Sequence, residues 1–128
     1  MTAERRDPPI IRPIGTTRPG GPFSATKARL AAIVEANRAE ILALSHRIHA
    51  HPEPAFEEVQ ASAWIADAVR AHGFAVELPA GSLSTAIRSR LPGGRAGEPG
   101  EDRPRIGILA EYDALPGLGH GCGHNTMA

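Results

Sequence analysis

Cys122-Gly123-His124 is the segment of this chain best equipped for chemistry. A thiolate and a neutral imidazole are both good ligands for zinc and other borderline divalent metals. Glycine occupies every second position from Gly117 to Gly123. In an extended backbone successive side chains alternate sides, so Leu118, His120, Cys122 and His124 would stand in one row on a loop stripped of bulk. Two further uses stay open. The thiolate could be a nucleophile activated by His120 or His124, or Cys122 could be a plain buried thiol. A few residues upstream lie Glu111, Tyr112 and Asp113, two carboxylates at the end of an apolar run.

Those groups need a frame to hold them. Leu30, Ile33, Val34, Ile41, Leu44 and Ile48 recur at helical spacing and predict a first helix from about residue 25 to 49. Asn37 interrupts its stripe, and Ser24 or Thr26 is placed to cap its start. Pro52 and Pro54 end it. Phe56, Val59, Ala63, Ala66 and Val69 predict a second helix from about 56 to 72. Glu57 and Glu58 fall in its first turn, where carboxylates suit the helix dipole, and Gly73 stops it. His49 and His51 read as structural groups at a helix C-terminus, and His46 and His72 as surface residues.

Three strands are expected next, at 74–78, 84–91 and 105–110. The last, Arg-Ile-Gly-Ile-Leu-Ala, is apolar enough for a strand buried on both faces. The order of two helices, three strands and a glycine loop predicts an α/β fold with an incomplete sheet. Its site would lie beyond the C-terminal end of a strand. Residues 1–24, with five prolines and the arginines Arg5, Arg6, Arg12 and Arg18, read as a disordered tail, and 25–128 as the folded part.

Size and composition narrow the function further. The chain has 128 residues, 14 basic and 14 acidic, so no nucleic-acid or anionic-membrane footprint is visible in its net charge. No apolar run approaches membrane-spanning length. One cysteine excludes an internal disulfide and suits a reducing, cytoplasmic setting.

Three segments, taken in order, resemble the M20 family of metal-dependent peptidases and amidohydrolases, and within it the amidohydrolase branch. They are His46-Arg47-Ile48-His49-Ala50-His51-Pro52-Glu53 with Phe56-Glu57-Glu58, then Ile108 to Pro116, then Gly119-His120-Gly121-Cys122-Gly123-His124-Asn125. The resemblance implies a catalytic domain of the di-metal aminopeptidase type, carrying two divalent ions (zinc, manganese, cobalt or nickel). It places a bridging thiolate ligand at Cys122 and a ligand imidazole at His124. Asp113 falls on the aspartate that orients a neighbouring site histidine. His120 matches a recurring position that is not read as a ligand. The branch often has Asp where this chain has Glu111, Met at Tyr112 and Asp at Asn125. The Glu-Tyr-Asp and His-Asn forms are similar to a subgroup with dipeptide-cleaving members.

The implied activity is hydrolysis of the amide bond of an N-acyl amino acid or a short peptide. The general-base glutamate, further ligands and a lid domain through which family members often dimerise would lie downstream. The expectation is therefore an N-terminal fragment, inactive alone. The rival is a small metal-binding or thiol accessory module that acts through a partner.

Overall fold

The computed structural model describes residues 20–91 and 106–128. Most of the expected tail lies outside these residues, as does Arg105. The chain divides into two compact units, residues 1–39 and 40–128. The elements in order are α1 (Ser24–Ala36), α2 (Arg38–Ala50), α3 (Val59–Ala71), β1 (Ala75–Glu77), β2 (Arg88–Arg90) and a short 3-10 helix, His124–Thr126. Among the described residues, no helix is long and apolar enough to cross a membrane.

The single long helix expected over 25–49 is two helices. Asn37 is the break: its side-chain amide donates to the Ile33 carbonyl at 2.8 Å, where a continuing helix would use backbone. Neither Ser24 nor Thr26 caps α1, whose N-cap is Phe23 with no side-chain bond. No residue of α1 is buried.

The second expected helix begins three residues late, because Phe56 sits at φ +70°, outside the right-handed helical region. Glu57 and Glu58 therefore precede α3. The carboxylate at its start comes from farther back: Glu53 accepts the backbone N–H groups of Gln60 at 3.0 Å and Ala61 at 2.9 Å. It satisfies two donors that have no partner within the helix and complements the positive end of its dipole. At the other end Gly73, at φ +84°, turns the chain left-handed. Phe74 N–H then reaches the Val69 carbonyl and Gly73 N–H the Arg70 carbonyl, the paired bonds of a Schellman ending.

Ala61, Ser62, Ile65 and Ala66 form the buried face of α3. Ile48 of α2, fully buried, packs with Ala61 and Ile65, and Leu44, Trp64, Ile87 and Tyr112 close around them. Arg47 lies over the Trp64 ring at 4.0 Å. His72, just past the end of α3, contacts Glu40 of α2 at 3.2 Å.

The sheet is smaller than expected. β1 and β2 pair antiparallel, Ala75 opposite Arg90 and Glu77 opposite Arg88. The apolar run 106–110 is a departure: it forms no strand, and Ile106, Ile108 and Leu109 are 90% or more exposed. Apolar character favours burial only when a neighbouring element is there to supply ladder partners and cover both faces. Among the described residues none does so.

Glu53 offers a direct test of this frame. Glu53→Ala leaves the α3 start uncapped and is expected to cost about 1–2 kcal/mol. Urea unfolding of the 128-residue chain, followed by far-ultraviolet circular dichroism, reads that loss as a lower midpoint.

Candidate metal centre

The site is assembled from two loop segments pinned to the helices. The first is 111–115. Ala114 N–H donates to the Glu53 carbonyl at 2.8 Å, and Pro54 and Ala114 pair as a parallel bridge. Asp113 is thereby fixed next to the residue that caps α3. Tyr112 is held from the other direction, its hydroxyl donating to the Thr85 carbonyl at 2.5 Å. Thr85 in turn donates to the buried Glu58 carboxylate at 2.6 Å. Burial, with the Glu58 charge nearby, raises the Tyr112 phenol above its ordinary value and keeps it a donor.

The second segment is the glycine loop, and it is not extended. Leu115 N–H bonds the Gly119 carbonyl at 2.9 Å and Gly119 N–H returns to the Leu115 carbonyl at 3.0 Å, closing a tight turn. Gly119 takes φ +66° with Pro52 close by, and Gly123 takes φ +85° to open the 3-10 helix. A side chain at either position would be strained. The turns disperse the expected row of side chains. His120 is buried, whereas Leu118 and Cys122 are exposed. Asn125 is buried, and its amide donates to the Ser45 hydroxyl of α2 at 3.1 Å. That bond ties the loop's end to the helix pair.

The result is a compact donor cluster. His124 Nδ1–H donates to Asp113 Oδ1 at 2.7 Å. His124 Nε2 lies 3.1 Å from Glu111 Oε2. One ligand atom from each of Glu111, Asp113 and His124 falls within 4.8 Å of the others. An imidazole with two carboxylates suits zinc, manganese, cobalt or nickel, so the residues present fit a divalent metal. Of the residues singled out from sequence, His124 and Asp113 are brought together. Cys122, exposed and in no disulfide, is not part of the cluster.

Sequence reasoning missed two features. The first is the Asn125–Ser45 anchor, which joins residues 80 positions apart. The second is the surroundings of His120. Its ring centroid is 6.1 Å from that of His49, and among the described residues neither of its buried nitrogens has a hydrogen-bond partner. The contact between His49 and the glycine loop has no local sequence signal.

Comparison with characterised proteins decides the family. A human Xaa-Arg dipeptidase is 39% identical over 112 residues, covering 80% of this chain and 24% of that protein. One of the subunits of the p-aminobenzoyl-glutamate hydrolase of Escherichia coli (strain K12) is 32% identical over 111 residues, covering 73% of the chain and 21% of the relative. An N-acyl-L-amino acid amidohydrolase of Geobacillus stearothermophilus is 26% identical over 114 residues, 78% of the chain and 29% of the relative. The chain belongs to the M20 family. No family model matches it. The chain spans about a quarter of the length of the curated relatives it matches.

Burial, reinforced by His49, lowers the pKa of His120 from its ordinary 6.5; the Ile48 backbone opposes this, though neither ring nitrogen meets hydrogen-bond geometry. A depressed folded-state value means that folding disfavours the protonated ring. The stability tied to His120 is therefore present above pH 6.5 and falls away as pH drops through the lowered value. Urea midpoints measured from pH 7.5 down to 5 should fall more steeply for the parent chain than for His120→Phe.

Proposed function

We propose that this chain carries the first metal-holding motifs of a hydrolase that cleaves the amide bond of N-acyl amino acids or short peptides. The observation that carries the reading is the Asp113–His124 hydrogen bond, 2.7 Å long, within an M20-family sequence. A carboxylate on Nδ1–H fixes the ring's tautomer and orientation and leaves the Nε2 lone pair to bind metal. Cys122 and His124 are assigned as ligands, with Asp113 positioning the imidazole. The names of the three relatives, a dipeptidase and two amide hydrolases, support the reaction class.

A bound divalent metal would supply Lewis acidity, polarising the scissile carbonyl and lowering the pKa of water. This chain's residues supply the arrangement around that chemistry. Asp113 holds the proton on His124 Nδ1. Asn125, through Ser45, keeps the imidazole from swinging with its loop. Gly119 and Gly123 let the backbone turn tightly enough to bring residue 124 back to residue 113. The proton shuttle belongs to a glutamate that the resemblance places downstream. A free thiol supports a reducing, cytoplasmic setting.

The exposure of Cys122 also suits a thiol-based accessory module. Alkylation separates the two uses: zinc, manganese or cobalt slows modification of a ligand thiol and leaves a purely reactive thiol unaffected. For the enzyme reading, the purified 128-residue chain should show no metal-dependent hydrolysis of N-acyl amino acids or dipeptides. A protein extended to the full length of the relatives should show it and lose it in Cys122→Ala. Turnover by the 128-residue chain, or full activity in the extended Cys122→Ala variant, contradicts the assignment.

A further inference from the structure

The resemblance assigns no role to Glu111, yet its carboxylate is the group that meets the free side of the His124 ring. The ring's two nitrogens have different surroundings. Among the described residues, its aligned hydrogen bond is the one from Nδ1 to Asp113, 2.7 Å long. That bond places the proton on Nδ1 and leaves a lone pair on Nε2. Glu111 Oε2, a second acceptor, lies 3.1 Å from Nε2. Two acceptors this close need a proton or a metal cation between them. The Glu111 side chain is 64% exposed, and an ion pair that open to water holds its partners weakly.

The spacing suits a metal. Donors bound to one zinc-like ion at about 2.0–2.2 Å, subtending about 90–110°, stand roughly 3.0–3.5 Å apart. The His124–Glu111 separation falls inside that range.

We propose that Glu111 is itself a metal donor, so that His124 Nε2 and Glu111 Oε2 form a divalent-cation seat built wholly within this chain. The proposal deepens the metal reading given above and rests on it, but it names a donor other than Cys122. Placement of Glu111 follows from its neighbours. Tyr112 is pinned to Thr85 and Asp113 to His124, so the backbone that carries Glu111 is held next to the imidazole. Glutamate also reaches one methylene farther than the aspartate often found at this position in the branch.

The test is a Co²⁺ titration of the full 128-residue chain, reduced and metal-free, followed by calorimetry and visible absorption, with Glu111→Gln and Cys122→Ala in parallel. Circular dichroism checks that the variants keep the parent's helix content, which the exposure of both side chains favours. The expected result is one Co²⁺ per chain, bound about tenfold more weakly by Glu111→Gln, with displaced ligand-field bands. Loss of a merely nearby charge would not move those bands. No binding by the parent, a change below threefold in Glu111→Gln, or unmoved bands each overturn the proposal. If Cys122→Ala loses affinity while Glu111→Gln keeps it, the Glu111 donor falls and the Cys122–His124 assignment stands. The reverse pattern supports Glu111 and removes the thiolate.

Discussion

Glu53 is the residue on which the rest of this arrangement depends, because it is used twice. Its carboxylate neutralises the start of α3, and its carbonyl receives the N–H of Ala114, the residue after Asp113. A helix terminus and a site-bearing loop thus share one anchor. The rigid break at Pro52 and Pro54 favours this, since Pro54 biases Glu53 before it away from helical backbone. The order of causes runs from two prolines, to one fixed glutamate, to the position of Asp113, and from Asp113 to the orientation of His124.

Much of this frame is legible in the sequence, for identifiable reasons. The α3 face of Ala61, Ile65 and Ala66 follows helical periodicity, and Gly73 ends the helix as its conformational freedom predicts. Asn37 is visible as an interruption, but whether a polar residue merely dents a helix or divides it depends on which carbonyl its side chain takes. The run 106–110 has a strand's composition without a strand's partners. Composition records a preference for burial, whereas a strand also requires a neighbour, which no local pattern contains. Glu53 capping α3 is likewise hidden, because the cap lies seven and eight residues from its donors rather than at the helix start.

The site divides the same way. Residue types point to metal chemistry at His124, and the ordered motifs give the family, which the relatives confirm. Local alternation misleads on geometry. Glycine at every second position favours an extended strip only if the chain stays extended, and the same glycines permit the left-handed turns that fold it back. Once folded, the loop separates His120 from Cys122 and delivers His124 to Asp113. The relevant distance, 2.7 Å across eleven residues, is a property of the turns and not of the pattern.

The energetic character of the site differs from that of the core. Ile48, Ala61 and Ile65 are held by apolar burial, which is non-directional. The cluster at Glu111, Asp113 and His124 is held by directed polar contacts, Ala114 to Glu53, Tyr112 to Thr85 and Asn125 to Ser45. Each is worth about 1 kcal/mol net, so no single bond fixes the geometry and their agreement does. On the proposed metal reading, binding and folding of these loops would be one process: an ion joining residues on the two segments would gain its affinity partly by ordering them, and each polar anchor that pre-orders them would raise that affinity. Substitutions at Asn125 or Glu53, neither of them a proposed donor, would then belong to the same thermodynamic cycle as the proposed donors themselves.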